Sequence, residues 1–150
     1  MPEKVVKEFY ESAKKYCDFV TNNVITDENI EELMYLMLDS FAKGLLLPDV
    51  EPDTEDYPVK GEKTDPIRIE LPTIYWEIFD PFTQDEPLCG DLLDDLSDIR
   101  DDLLEGICAY EAGFINDAVF EWKLLHQAHW GNHCVAAVKA LQHLRDSDNL

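Results

Sequence analysis

The sequence predicts an all-α protein, a bundle of about four long amphipathic helices with a long acidic, proline-containing loop between the second and third helices. Two observations predict this class. Apolar residues recur at spacings of three and four in four separate stretches, and one irregular stretch at about residues 48–90 divides these stretches into pairs. The chain has 150 residues, the size of one domain, so residues 1–150 are expected to share a single core.

The first two helices are predicted before residue 48. One apolar stripe runs from Glu3 to about Asn22. A second stripe follows Thr26 and Asp27, whose side-chain oxygens suit a helix N-cap, and it ends before Pro48. Because the link between the two stripes is short, the helices are expected to be antiparallel.

The stretch after the second helix shows no single periodicity. Residues 48–66 contain four prolines, a glycine and many acids, which indicates an exposed loop. In the next segment Ile67, Ile69 and Leu71 alternate like a strand, while Pro72 suits the first turn of a short helix. We favour helical turns for this segment.

Two more helices are predicted in the second half of the chain. Residues 91–110 carry a core stripe of leucine and isoleucine, and Gly113 stands where a C-terminal cap belongs. Asn116 suits the cap of a fourth helix, whose apolar stripe continues to Leu144 and which forms one long element if it is unbroken through Gly131.

The composition excludes several partners. Against 12 Lys and Arg stand 33 Asp and Glu, a formal net charge of -21, which argues against binding to nucleic acid or to an anionic membrane. No apolar run approaches the roughly 20 residues that a membrane span needs, and the N-terminal segment does not resemble a signal peptide. The four cysteines show no C-x-x-C spacing. We therefore expect a cytoplasmic protein whose partners are basic proteins or cations.

Four segments resemble a bacterial family known only as a domain of unknown function. They cover most of the chain beyond residue 40: LLLPDVE (Leu45 to Glu51), YWEIFDPF (Tyr75 to Phe82), LLDDLSDIRDDLLEGICAYEAG (Leu92 to Gly113) and FEWKLLHQAHWGNHCVAAVKALQHL (Phe120 to Leu144). The resemblance implies a helical, cytosolic bacterial protein. It implies no catalytic role for any residue, because the family has no established activity.

The third predicted helix carries an acidic face opposite its leucine stripe. Seven acids fall within about 120° of arc on the helical wheel. They are Asp91, Asp94, Asp95, Asp98, Asp101, Asp102 and Glu105. Between Ile69 and Trp122 the only basic residue is Arg100. We expect this face to be solvent exposed, with the carboxylates of Asp91, Asp94, Asp98, Asp101 and Glu105 unpaired, and to steer the protein toward a basic partner. A merely solvated face gives the same pattern.

Three histidines of the fourth predicted helix form a second candidate site. His126, His129 and His133 stand at i, i+3 and i+7, on one stripe that faces the core. Imidazoles at such spacing can share one divalent transition metal, completed by Asp or Glu from a neighbouring helix. Alternatively, each histidine donates to a carbonyl or carboxylate within a packed core, since no H-E-x-x-H pair is present.

No nucleophile elbow, phosphate loop or dinucleotide fingerprint occurs, so no catalytic residues and no cofactor are assigned. The leading hypothesis is a non-enzymatic acidic protein that neutralises or regulates a basic protein, most concretely an immunity protein against a cationic, nuclease-type bacterial toxin. One alternative is a metal-binding bundle or metal-dependent enzyme that uses the three histidines. A further alternative is a structural subunit of a larger assembly.

Overall fold

A computed structural model describes residues 2–55 and 63–146 of the chain. Within these residues the protein is mainly helical, with five α-helices and four short strands. In chain order they are α1 (Glu3–Asn22), β1 (Val24–Ile25), α2 (Ile30–Gly44), β2 (Arg68–Ile69), β3 (Ile74–Glu77), β4 (Leu88–Asp91), α3 (Leu92–Glu111), α4 (Ile115–Ala128) and α5 (Trp130–Arg145).

The first three predicted helices are confirmed as α1, α2 and α3. The carboxylate of Asp91 accepts a hydrogen bond of 2.9 Å from the backbone N–H of Leu93, and so caps α3. Gly113 ends this region with a positive φ of 93°, as a C-terminal glycine cap requires. No helix in the described parts of the chain is long and apolar enough to cross a lipid bilayer.

The fourth predicted helix is wrong as a continuous element, because the chain breaks at His129 into α4 and α5. His129 leaves helical geometry, with φ -144° and ψ -80°. Gly131 then passes so close to the previous turn that a Cβ at this residue would lie 1.8 Å from the carbonyl oxygen of His126. Only glycine fits such an approach, so Gly131 permits the break that sequence periodicity does not show.

The helical turns predicted after Ile67 are also wrong, because this segment forms strands. Arg68–Ile69 pairs in parallel with Val24–Ile25, and Ile74–Glu77 pairs antiparallel with Leu88–Asp91. The alternation that begins at Ile67 reflects burial against the helices, since Ile67 itself is buried.

The predicted acidic loop between α2 and β2 is described only in part, since residues 56–62 lie outside the described residues. Its described parts contain no helix or strand. Contacts with α4 hold its first half: the Thr54 hydroxyl donates to Asp117 at 2.7 Å, and Lys123 donates to the carbonyl oxygen of Leu47 at 2.8 Å.

The core is centred on two fully buried tryptophans, Trp122 of α4 and Trp130 of α5. Phe9 of α1 packs against both, with ring centroids 4.8 and 6.0 Å away. The indole N–H of Trp122 donates to the carbonyl oxygen of Leu103 at 3.1 Å, and that of Trp130 donates to the carbonyl oxygen of Trp122 at 3.0 Å. Each indole thus buries its rings and satisfies its N–H, which fixes α4 and α5 against α3.

We predict that Gly106→Ala destabilises the fold by about 1–3 kcal/mol, the usual cost of overpacking a core. The added Cβ would lie 2.1 Å from Nε1 of Trp122, whose ring is held by its bond to Leu103. Urea unfolding followed by tryptophan fluorescence measures the change. The exposed neighbour Glu105→Ala is the control and should stay within about 0.5 kcal/mol of the wild type. Equal stability of the two variants would contradict the packing described.

We also predict that Cys89 reacts with a thiol reagent far faster than Cys17 or Cys134 in the native protein. Cys89 is exposed, whereas burial raises the pKa of Cys17 strongly and raises the pKa of Cys134 to about 12. Little of either buried thiol is therefore the reactive thiolate at pH 8. Mass spectrometry after brief alkylation checks the order, with Cys89→Ser as the control. Rapid native labelling of Cys17 would contradict the burial.

Candidate metal centre

Three carboxylates of α3 lie against the junction between α4 and α5. Asp95, Asp98 and Asp102 stand at i, i+3 and i+7, which places them on one face of the helix. Asp95 is only 4% exposed, and the side chain of Asp102 is 13% exposed. The predicted exposure of the acidic face is therefore wrong for this part, because the face packs against His129 and His133.

Each of these two histidines is held through its Nδ1 atom. Nδ1 of His129 lies 2.6 Å from Oδ2 of Asp102, and Nδ1 of His133 lies 2.7 Å from Oδ1 of Asp95. Since a carboxylate accepts hydrogen bonds, Nδ1 is the protonated nitrogen that donates. In a neutral ring Nε2 then keeps its lone pair, which is the arrangement found in metal-binding histidines.

The two Nε2 atoms converge on Asp98. Oδ2 of Asp98 lies 3.2 Å from Nε2 of His133 and 4.0 Å from Nε2 of His129. One ligand atom from each of the three residues lies within 4.8 Å of the others. Ligands about 2.0–2.2 Å from a tetrahedral ion are about 3.4 Å from one another, so small side-chain shifts would let these three residues bind one ion.

Tyr75 of β3 extends this arrangement behind His133. Its hydroxyl donates to Oδ2 of Asp95 at 2.5 Å, the oxygen that His133 does not use. Burial raises the pKa of Tyr75, as does its bond to Asp95, so the hydroxyl stays a donor. The ring can lie across β4 because Gly90 faces it; a Cβ there would come within 2.4 Å of the ring.

Burial and hydrogen bonding act in opposite directions on the two supporting carboxyls. Burial is the larger effect and raises the pKa of both Asp95 and Asp102, while the hydrogen bonds from Tyr75 and from the two histidines lower it. The side chains of the candidate ligands are more accessible, with Asp98 40% and His129 44% exposed. The side chains of these candidate ligands are therefore partly accessible to water.

His126 lies apart from this cluster, so the predicted ladder of three histidines is divided. Its Nε2 donates to the carbonyl oxygen of Phe41 at 2.9 Å, and its ring packs edge-on against Trp130. This is the core role that was the alternative to metal binding. The break at His129 separates the two groups, because residues before and after it no longer share one stripe.

Three other acids of the predicted acidic face lie on the outside of α3. They are exposed: Asp94, Asp101 and Glu105. Arg100 does not neutralise them, because it is buried on another side of α3. Its guanidinium donates to the carbonyl oxygen of Asp65 at 2.9 Å and to the hydroxyl of Thr21 at 3.3 Å.

Sequence reasoning identifies the candidate ligands but does not group them correctly. It assigns Asp98 to a partner-binding surface and joins His126 to His129 and His133. Asp95, Asp98 and Asp102 share one face of α3, and His133 of α5 follows four residues after His129, the N-cap of that helix. These spacings were a signal that the two sets of side chains face each other. Tyr75 gave no signal, because its position depends on the pairing of β3 with β4.

The chain is similar to a family of proteins and to a solved structure. The family described as "Domain of unknown function (DUF5063)" matches residues 1–147. Among solved structures, protein BF1032 from Bacteroides fragilis is similar, with a TM-score of 0.77 and 19% sequence identity over 97% of this chain and 94% of that one. At that identity the likeness shows the fold alone, and a search of curated proteins found no match. Because the family match spans nearly the whole chain, the protein belongs to the family of this domain of unknown function.

Proposed function

We propose that the protein binds one divalent transition-metal ion through Asp98 Oδ2, His129 Nε2 and His133 Nε2. The observation that carries this proposal is the orientation of the two imidazoles. Asp102 and Asp95 each accept from a histidine Nδ1, so both Nε2 atoms are left to face Asp98.

This arrangement favours positive charge between the rings and Asp98. A neutral His133 with its proton on Nδ1 would hold the Nε2 lone pair 3.2 Å from a carboxylate oxygen of Asp98, which is repulsive. Either a second proton on the ring or a bound cation removes the repulsion. The convergence of His129 on the same oxygen supports a cation, because one ion can satisfy all three groups.

The ligand set favours a catalytic site over a structural one. Structural zinc sites are closed by four protein ligands, commonly with cysteine, whereas catalytic sites keep positions for water or substrate. Here two imidazoles and one carboxylate supply three ligands beside solvent. An ion bound there lowers the pKa of a water ligand and polarises a substrate oxygen. We therefore propose a metal-dependent enzyme as the function.

We predict that zinc, manganese or iron(II) stabilises chelator-treated protein. At about 100 times Kd, a bound ion contributes about 2.7 kcal/mol, which raises the melting temperature by about 5–10 °C. Asp98→Asn and His133→Ala should abolish the rise. Thermal unfolding with and without each metal measures it, together with the visible spectrum of a cobalt(II) complex.

The controls separate ligands from supporting residues. Asp94→Asn and His143→Ala remove the same kinds of group at exposed positions and should leave metal binding unchanged. Asp102→Asn should weaken the affinity by about 10–100-fold without abolishing it, because it orients His129 and does not bind the ion. A thermal shift that survives in Asp98→Asn and His133→Ala would refute the proposed ligand set.

We also propose, as a second function, that the outer acidic face binds a basic protein, most concretely a cationic nuclease-type toxin that this chain would neutralise. The observation that favours it is the burial of Arg100, which removes the only base of α3 from the face formed by Asp94, Asp101 and Glu105. A surface of one sign steers an oppositely charged partner and speeds association.

For this function we predict that association with a basic product of the adjacent gene slows steeply as salt is added. Screening shortens the Debye length from about 30 Å at 0.01 M to about 8 Å at 0.15 M. The triple variant Asp94→Asn, Asp101→Asn and Glu105→Gln should associate more slowly, and its association rate should depend less on salt. Surface plasmon resonance at several salt concentrations measures both.

The matched control removes three charges elsewhere. Glu28, Glu31 and Glu32 are exposed at or just before the start of α2, and their change to Gln removes the same number of negative charges. Association should then stay close to that of the wild type. If both triple variants behave alike, or if the adjacent product is acidic, the face does not have this function.

A further inference from the structure

A groove of about 350 Å³ lies between β3 and the C-terminal half of α5. Its walls are mostly apolar, and side chains from both faces of β3 contribute. The lining residues are Ile74, Tyr75, Trp76, Glu77, Ala136, Lys139, Ala140, His143 and Leu144. In the described sheet β3 pairs only with β4, so its other edge is left to face this groove.

Tyr75 connects the groove to the cluster of Asp98, His129 and His133. Tyr75 belongs to both, since its ring lines the groove and its hydroxyl bonds the Asp95 that holds His133. On α5, Ala136 and Ala140 follow His133 at i+3 and i+7, on the same face of the helix. The groove therefore begins about one helical turn from a candidate metal ligand.

The small side chains on this stripe create the space. Two alanines form the floor where larger residues would fill the groove. At the rim stand Ile74 and Trp76, which are 57% and 69% exposed. Large apolar side chains at the edge of a concave site are suited to cover a flat ligand.

We propose that this groove is the substrate pocket of the metal centre and takes a small molecule with a flat apolar body whose oxygen-bearing head binds the ion. The inference rests on the proposed metal-dependent function. The volume suits a body of about two fused rings, at the small end of ligand pockets. Glu77 and Lys139 carry opposite charges in the lining, so apolar contact and the metal-binding head determine recognition, with no net charge on the body.

The first measurement tests the groove without metal. The neutral dye N-phenyl-1-naphthylamine should bind chelator-treated protein with a rise in fluorescence. Ala136→Leu fills the floor and Trp76→Ser removes a wall, and each should weaken dye binding about tenfold or more. Phe82→Ser is the control, because Phe82 is exposed in the β3–β4 hairpin region but does not line the groove. Equal loss of binding in all three variants would overturn the assignment.

The second measurement joins the groove to the metal. With zinc-loaded protein, 2-naphthohydroxamic acid and acetohydroxamic acid present the same metal-binding head, with and without the apolar body. We expect the naphthyl compound to bind at least about tenfold more tightly. Ala136→Leu should reduce this ratio to near one while zinc binding stays unchanged.

The outcomes separate the two proposals. If zinc binds at Asp98, His129 and His133 but the two hydroxamates bind equally, the pocket is overturned and the metal site stands. If the dye binds the groove but zinc does not bind the protein, the proposed function fails, and with it the pocket as a substrate site. The pocket is also overturned if 2-naphthohydroxamic acid still binds more tightly than acetohydroxamic acid in both Ala136→Leu and Trp76→Ser.

Discussion

The packing of the α4–α5 junction against α3 is the constraint on which the rest of the structure depends. Trp122 and Trp130 bury their rings on either side of the break at His129. The Trp122 indole donates to the Leu103 carbonyl and holds α4 to α3, and the Trp130 indole donates to the Trp122 carbonyl and holds α5 to α4. With that registry fixed, His129 meets Asp102 and His133 meets Asp95. A continuous helix would place all three histidines on one stripe, and His126 would not be separated from His129 and His133.

The acidic composition has a different effect at this junction than on the outer surface. Asp95, Asp98 and Asp102 bring three carboxylates to one helix face, two of them largely withdrawn from water. Withdrawing carboxylates from water costs free energy unless hydrogen-bond donors or cations compensate their charge. Two histidines supply donors from one side, and Tyr75 supplies one from another. The net charge of -21 adds a field that favours cations over anions at the same place.

The helices and the strands differ in how far the sequence could predict them. Periodicity was sufficient for α1, α2 and α3, because each has a wide apolar stripe that spans its length. It failed at His129, since both halves keep apolar residues at helical spacing and the cause of the break, a close backbone contact at Gly131, is local. It failed again at β3, whose partner β4 has only four residues and no pattern of its own.

The candidate metal site could also be predicted only in part from the sequence, for a different reason. Asp98, His129 and His133 were each identifiable from their spacing to neighbouring acids or histidines, although His129 lies at the break between α4 and α5 and not within a helix. Which carboxylate meets which imidazole depends on the registry between helices, which no stretch of sequence encodes. The position of Tyr75 depends on both the hairpin and the helix it reaches.

The direct succession of β4 and α3 has a mechanical consequence. No residue separates Asp91, the last residue of β4, from Leu92, the first residue of α3. The backbone N–H of Leu92 also donates to the carbonyl oxygen of Thr73 at 2.8 Å, so the hairpin and the helix are joined as one rigid unit. A molecule that displaces β3 would turn the Asp95 carboxyl through Tyr75 and rotate the imidazole of His133. Occupancy of the groove and occupancy of the ligand cluster would then be thermodynamically linked, and each would change the affinity of the other by the same factor.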